Sequence, residues 1–281
     1  MNRRVSKQTS YGGWIAAIIV VLAIVAAAIY LVQRGMHPNA STNAAPSASS
    51  APAPPAPASA STAIQHPIAQ AEAAPASAST AALPSLFDSD ASVREALPGI
   101  AGGADLRSIL VQSQIISRVV ATVDALPRQS MGSTHILPLR TPGGALQTEQ
   151  SNGGTVITAA NADRYRPYML VVGKVDPHAL VAWYKHNYPL FQEAYRELGY
   201  PHGYFNDRLI AAIDDMLAAP DVNQPVAVVR AGAHYHFVEP QWQSLSNGQK
   251  LMLRLGPDNE EQFKAKLRMI RQLLAGAQVA H

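Results

Sequence analysis

The clearest pattern in the C-terminal two thirds of this chain is the recurrence of apolar residues at helical spacing. Between Asp105 and Val123 the apolar positions lie three or four residues apart, which is the repeat of one face of an amphipathic helix. Leu126 precedes a proline, and such a residue is biased away from helical geometry. We therefore predict a helix from Asp105 to about Val123 that buries one apolar face: Leu106, Ile109, Leu110, Ile116, Val119, Val120 and Val123.

Start and stop signals delimit two further short helices. Ser92 and Glu95 have the spacing of a capping box, and the helix that follows should end before Pro98. Asn206 is a suitable cap for a helix that stops before Pro220, because its side chain can accept from a free backbone N–H of the first turn.

A longer helix is predicted to begin at Asp176-Pro177, since aspartate caps well and proline fits the first turn. It should reach Gly199, with a kink or break near Pro189 because proline removes one helical hydrogen bond. Two more helices are predicted near the C-terminus, at about 241–255 and 258–275, separated by Gly256-Pro257.

Strand signals are fewer. Residues 129–160 indicate loops with a weak hairpin around Asn152-Gly153-Gly154. The stronger hairpin signal is Ala231-Gly232, flanked by the apolar runs Val226–Arg230 and Ala233–Val238. The fold class expected from these patterns is mainly α with a minor β-hairpin.

The N-terminal region follows a different pattern. Trp14 to Val32 is a run of 19 residues without a charge, and a helix of that length measures roughly 28 Å, close to the hydrocarbon thickness of a bilayer. Three basic residues precede the run and Arg34 follows it, so the positive-inside bias places the N-terminus in the cytoplasm. A retained transmembrane helix at 14–33, after a cytoplasmic tail at 1–13, is the favoured interpretation, and a cleaved signal peptide is the alternative.

Residues 34–83 consist largely of Ala, Pro and Ser. Such a composition buries too little apolar surface to offset the entropy of ordering, so we predict a disordered linker there. It is either a tether that lets the domain reach through the envelope or a passive spacer. Residues 84–281 then form one globular domain, expected in the periplasm of a bacterium.

The distribution of charge argues against a nucleic-acid function for that domain. The computed pI is 9.2, but 4 of the 22 basic residues lie in the first 34 positions, which leaves 18 against 19 acidic residues. A phosphate-binding surface needs a local excess of Lys and Arg. The chain contains no cysteine, which excludes disulfides, thiolate metal sites and a cysteine nucleophile.

Five segments carry a resemblance to a known family. They are VREAL (93–97), VATVDALPR (120–128), YPLFQEAYRELGYP (188–201), FNDRLIAAIDDMLAAP (205–220) and LSNGQKLMLRLGPDN (245–259). Together they resemble domain-of-unknown-function family 3014 over most of residues 84–275, and the arrangement after an anchor and an Ala/Pro linker is also similar. The resemblance implies the domain boundary and an envelope location, and it implies no activity or cofactor.

The candidate binding residues are mostly aromatic and basic. Seven of the ten tyrosines lie between Tyr165 and Tyr204, and Tyr and Arg are favoured in binding surfaces. One set has the spacing of a single helical stripe, which favours packing in a core: Tyr184, Tyr188, Phe191 and Tyr195. The predicted binding residues lie off that stripe or on a basic flank: Arg164, Tyr165, Tyr168, Tyr200, Tyr204, Gln249 and Lys250.

Other polar residues allow weaker hypotheses. His234 and His236 share one face of a predicted strand and are candidate metal ligands, although two surface histidines are the simpler interpretation. Asp124 and Arg128 are expected to form a structural salt bridge at a helix exit. Asp214-Asp215 diverge by about 100° on a helix, so one of them is expected to pair with Arg208 or to face solvent.

No short catalytic signature is present in the sequence. The leading hypothesis is therefore a membrane-anchored periplasmic module that binds an envelope protein or peptidoglycan, without a cofactor. The alternative is an enzyme that acts on the cell wall or a small periplasmic substrate. Its acid/base groups would come from four carboxylates: Glu193, Glu197, Asp207 and Asp214.

Overall fold

A computed structural model of the chain describes residues 63–71, 82–100, 102–103, 106, 108–130, 136–151, 153–222, 224–232 and 234–276. The predicted transmembrane helix at 14–33 and the cytoplasmic tail lie outside these residues. No helix within the described part of the chain has both the length and the apolar content to cross a membrane.

The described residues form a mainly helical domain with one small antiparallel sheet, as the fold class predicted. In chain order the elements are α1 (Ser89–Ile100), α2 (Ile115–Ala125), β1 (Thr148–Ser151), β2 (Gly154–Ile157), α3 (Arg166–Lys174), α4 (Pro177–Glu197), α5 (Phe205–Leu217), β3 (Ala227–Ala231), β4 (His234–Phe237), α6 (Pro240–Gln243), α7 (Asn247–Leu255) and α8 (Pro257–Ala275). Two 3-10 turns, at Ile68–Gln70 and Ala159–Tyr165, complete them.

The main core is built around α4, which packs against α2 and α8. The predicted aromatic stripe is confirmed as core, because Tyr184, Tyr188, Phe191 and Tyr195 are all buried. Their rings form a connected set with Phe205 of α5, mostly in edge-to-face or tilted geometry, such as Tyr184 and Phe191 at 5.1 Å between ring centroids. Aromatic pairs of this kind add stability beyond the area they bury.

The predicted helix at 105–123 is wrong in its first half. Residues 108–114 are not helical, and the backbone of Ile109 and Val111 instead pairs with the segment at 138–140. The helix begins at Ile115, because the Asp90 carboxylate on α1 accepts from the backbone N–H groups of Gln114 and Ile115 at 2.7 and 2.8 Å. This cap comes from another helix, so local sequence cannot reveal it.

Two other helix boundaries also differ from prediction. Helix α1 begins at Ser89 rather than at a Ser92 cap and continues past Pro98 to Ile100. Its last turn stays against the core because Leu97 and Ile100 are buried. The helix predicted at 241–255 is two pieces, because Ser246 and Gln249 form a capping box that starts α7.

Helix α4 confirms the predicted cap but not a break. The Asp176 side chain accepts from the N–H of His178 at 2.9 Å, and α4 continues through Pro189 to Glu197 as one element. Helix α5 starts at Phe205, so Asn206 lies inside the first turn and is not its cap.

The two predicted hairpins are confirmed, and the structure joins them. Strands β2 and β3 pair through Thr155 with Val228 and Val156 with Ala227, which gives one four-stranded sheet in the order β1-β2-β3-β4. Val228, Phe237, Trp242 and Leu253 form a second, smaller core beneath this sheet. The Arg254 guanidinium lies over the Phe237 ring, 4.6 Å from its centroid.

One stretch of the predicted linker is folded against the domain. Residues 63–71, which we call the tether segment, contain the first 3-10 turn and pack against α4, α5 and α8. Pro67 and Ala71, which flank that turn, have polyproline-like backbone angles of −59°/130° and −59°/133°. The prediction of disorder over the whole of 34–83 is therefore wrong for this segment.

Candidate binding site

Asp124, in the last turn of α2, is the centre of a polar cluster. Its carboxylate is almost buried. Oδ1 accepts from Arg208 Nε of α5 at 3.0 Å, and Oδ2 forms a short ion pair with Arg128. The Tyr200 hydroxyl lies 3.3 Å from Oδ2 and also contacts Arg128. We call these four residues the Asp124 cluster. The predicted salt bridge between Asp124 and Arg128 is confirmed.

The chain that follows α2 is fixed by the start of α7. Asn247 N–H donates to Arg128 O at 2.8 Å, and Gly248 N–H donates to Leu126 O at 3.0 Å. A Cβ at Gly248 would lie 2.7 Å from Met216 Cγ, so any larger residue there would have to displace the buried Met216 side chain. Together with Tyr200 of the Asp124 cluster, these contacts bring four of the five segments that carry the family resemblance to the end of α2.

The paired aspartates of α5 have separate structural partners. Asp214 forms an ion pair with Arg271 of α8, including a 3.0 Å contact between Arg271 Nη2 and Oδ2. Asp215 accepts from the Ser246 hydroxyl at 2.6 Å. Burial raises the pKa of Asp215, partly opposed by the Ser246 hydrogen bond. Arg208 pairs with Asp124, and no ion pair joins it to either of these residues.

Several predicted binding residues lie in the interior. Tyr165 and Tyr168 are buried, and burial raises the pKa of Tyr168 to about 12. The Tyr168 hydroxyl donates to Arg140 O at 2.9 Å. Arg164 donates to the loop carbonyls of residues 142–144 and to the Asn161 side chain. These side chains hold the loop at 140–144 on the domain.

The basic flank predicted on α7 also lies largely inside. Gln249 belongs to the capping box and donates to Asp215 O at 3.0 Å. Lys250 is buried, and burial together with nearby Arg254 lowers its pKa. Arg254 is buried as well, and burial lowers its pKa to about 10.

Tyr204 is the predicted binding residue that contacts the tether segment. Its hydroxyl accepts the backbone N–H of Ile68 at 2.7 Å. The neighbouring Asp207 carboxylate accepts from the N–H groups of Gln65 and His66 at 3.1 and 2.7 Å.

Two further side chains complete the contacts to the segment. Asn206 Nδ2 donates to His66 O at 2.8 Å, and Lys185 Nζ of α4 donates to Ala69 O and Ala71 O at 3.0 and 2.9 Å. We call the site formed by Lys185, Tyr204, Asn206 and Asp207 the tether groove. All six hydrogen bonds join a side chain of the domain to the backbone of the segment.

The sequence did not assign a binding role to Lys185, Asn206 or Asp207. Their partners lie 114 to 142 residues earlier in the chain, beyond any local pattern. A signal was present at the other end of the contact: Ile64 to Ile68 reads IQHPI and interrupts the Ala, Pro and Ser composition.

The candidate metal ligands do not form a metal site in the described part of the chain, and the candidate acid/base carboxylates do not line the cleft found there. His234 is buried in β4, and His236 Nδ1 lies 3.3 Å from Gln243 Nε2. No group of three or more potential metal ligands occurs among the residues that the structure describes. A cleft of about 610 Å³ between α3 and the start of α8 includes Asp163 and Asp258 in its lining, but none of Glu193, Glu197, Asp207 and Asp214.

A family model, described as a protein of unknown function (DUF3014), matches residues 115–271, which is more than half of the chain. The comparisons with curated proteins and with solved structures gave no match. The matched range contains the Asp124 cluster and all four residues of the tether groove, whereas the tether segment lies before it.

Proposed function

Starting from a chain that belongs to the DUF3014 family, we propose that it is a single-pass inner-membrane protein whose helical domain binds a partner in the bacterial envelope. The observation that carries the binding role is the tether groove, in which two helices and the turn before α5 hold an extended stretch of chain by six backbone hydrogen bonds. A groove that forms hydrogen bonds to backbone groups is a common basis of peptide recognition.

The location is supported by sequence. The uncharged run Trp14–Val32, with three basic residues before it, fits a helix that leaves the domain outside the cytoplasm. If the tether segment stays docked, the chain between the membrane and the domain is residues 34–62 rather than 34–83. At a ceiling of ~3.1 Å per residue, the greatest reach falls from on the order of 150 Å to about 90 Å.

The arrangement of carboxylates favours binding over catalysis. Asp207 accepts from the tether segment and Asp214 pairs with Arg271, while Glu193 and Glu197 are exposed on α4. None of these four groups lines the 610 Å³ cleft, so that cleft offers no acid/base pair made from them.

Crosslinking in intact cells tests the binding role. A photo-crosslinking residue at His186, exposed beside Lys185, should capture a defined envelope partner, whereas the same residue at Leu170 on α3 should not. Capture that does not depend on position, or no product together with no cell-wall association, would contradict the proposal.

Protease accessibility tests the location. Added protease should degrade the domain in spheroplasts and leave it intact in whole cells. A domain that is protected in spheroplasts and degraded only after lysis would place it in the cytoplasm and overturn the topology. The mass of the purified chain separates a retained anchor from a cleaved signal peptide.

A further inference from the structure

We propose that the tether groove is a recognition site for a short, extended, proline-containing peptide, and that residues 63–71 occupy it in cis until a segment of the same chemistry from an envelope partner displaces them. This inference rests on the proposed binding function and names the ligand class of that site.

The first support is the way the groove contacts its occupant. Asp207 accepts from the N–H of His66, and the Tyr204 hydroxyl accepts from the N–H of Ile68. Pro67 lies between these two residues and has no N–H of its own. Lys185 and Asn206 donate to carbonyls of the segment. Because these contacts use only backbone groups, a different peptide with proline at that place can make all of them.

Side chains of the segment supply a limited selectivity. Ala71 is buried and Ile68 packs against the main core, whereas Gln65 and Ala69 are exposed. The ligand class is therefore an extended peptide with proline followed by an aliphatic residue, and with a small residue three positions later. The cost of desolvation excludes a charged residue at the buried position of Ala71 and disfavours one at the partly buried position of Ile68.

The groove needs an occupant of this kind. Asn206 is fully buried with the segment in place, and its Nδ2 donates to His66 O. Asp207 accepts two hydrogen bonds from backbone N–H groups of the segment, and Lys185 donates two to its backbone carbonyls. A competing peptide replaces these hydrogen bonds one for one, so exchange avoids the cost of leaving buried polar groups unpaired.

The occupant is separable from the domain in sequence. The groove residues lie within the family match at 115–271, and the tether segment lies outside it, joined to the domain through residues 72–81. A connection of about ten residues gives an effective concentration in the millimolar range, so the cis segment wins unless a partner binds more tightly or is held nearby.

The end of α8 offers a way to weaken the cis contact without touching the polar groove. Gly276, at φ +73°, lies so close to the segment that a Cβ would be 2.3 Å from Gln70 O. Gly276→Ala should therefore expel the segment. Gly144→Ala is the matched control, because Gly144 has φ +76° and nothing lies within 4 Å of its added Cβ.

Amide exchange on the full chain in detergent micelles gives the first measurement. In Gly276→Ala the amides of Gln65, His66 and Ile68 should lose at least about tenfold of their protection, while those inside α5 keep theirs, and Gly144→Ala should leave both unchanged. Equal loss across the domain would mean that the segment is an inseparable part of the fold, which overturns the proposal.

Peptide binding gives the second measurement. A labelled peptide of residues 63–71 should bind saturably to a full chain in which Ile64–Ala71 is replaced by Gly and Ser, and at least about tenfold more weakly to the wild type, where the cis segment competes. Adding Asp207→Ala to the replaced chain should weaken binding at least about fivefold, since it removes the acceptor of two of the six hydrogen bonds. No binding at millimolar peptide, or a replaced chain that does not fold, would overturn the inference, whereas the crosslinking experiment judges the wider binding function separately.

Discussion

The Asp124 cluster and the tether groove both hold distant parts of the chain together, and they do so by different chemistry. The cluster joins ionised side chains to one another around a nearly buried carboxylate. The groove joins side chains to the backbone of a segment that lies outside the family domain. A buried carboxylate that loses its cations is costly to keep, whereas a backbone contact can be replaced by any other peptide group. The difference indicates that the first site fixes the fold and the second permits exchange.

The largest expected effect comes from removing the centre of the cluster. Asp124→Ala should lower the free energy of unfolding by about 2–3 kcal/mol, since it leaves two guanidinium groups without their shared carboxylate and only partly able to reach water. Urea unfolding measures this. Asp163→Ala, which breaks the exposed pair with Arg166, should cost no more than about 0.5 kcal/mol. Similar losses in both variants would contradict the role of Asp124.

The corresponding change in the groove should be local. Asp207→Ala removes the acceptor of two backbone N–H groups, so protection of the His66 amide should fall by about 1–2 kcal/mol in hydrogen exchange. The urea midpoint of the domain should shift by less than half of the Asp124→Ala shift. Exposed Glu193→Ala is the control and should change neither quantity. A global loss as large as that of Asp124→Ala would remove the contrast between the two sites.

A smaller effect distinguishes two hydroxyls beneath the groove. The Tyr184 hydroxyl is buried and has no hydrogen-bond partner among the described residues, whereas the Tyr188 hydroxyl donates to Gln192 Oε1 at 2.7 Å. Tyr184→Phe should leave stability unchanged or raise it by up to about 1 kcal/mol, and Tyr188→Phe should lower it by about 1 kcal/mol. Thermal unfolding of the two variants checks this, and a loss of stability in Tyr184→Phe together with none in Tyr188→Phe would contradict the assignment of the two hydroxyls.

The smallest expected effect is a dependence of the free energy of unfolding on pH through Asp215. Burial raises the pKa of Asp215, so the folded state favours the protonated carboxyl. Its destabilising contribution is absent below the unfolded pKa of about 3.9 and grows as the pH rises through the folded pKa. The wild type should therefore gain stability relative to Asp215→Asn as the pH falls from about 7 to about 4. Urea unfolding at several pH values measures the difference, and a difference that does not vary with pH would argue against this account.

Much of the domain follows from local pattern. The spacing of Tyr184, Tyr188 and Phe191 predicted a buried stripe, and Asp176-Pro177 predicted the start of α4, because both depend on residues within a few turns of each other. The Ala231-Gly232 hairpin was predictable for the same reason. The Asp124–Arg128 pair needed only the spacing of one helical turn.

The errors have a common cause in contacts between distant residues. Asp90 caps α2 from another helix, so the apolar spacing at 106–110 predicted a longer helix than the one that forms. Tyr165 and Tyr168 resembled surface binding residues in the sequence and lie in the interior, because the loop at 140–144 and α7 pack over them. Composition predicted disorder at 63–71, where the groove supplies the hydrogen bonds that the segment cannot make by itself.

The sequence by itself determined the helical class and the buried aromatic stripe, since each depends on the spacing or composition of neighbouring residues, whereas the anchor at 14–33 stays a prediction. Only the tertiary structure decided that Arg208 pairs with Asp124, that α1 caps α2, and that the tether segment is bound to the domain. These depend on side chains brought together from far apart in the chain, where the free energy of a hydrogen bond or an ion pair is set by burial and geometry rather than by residue type.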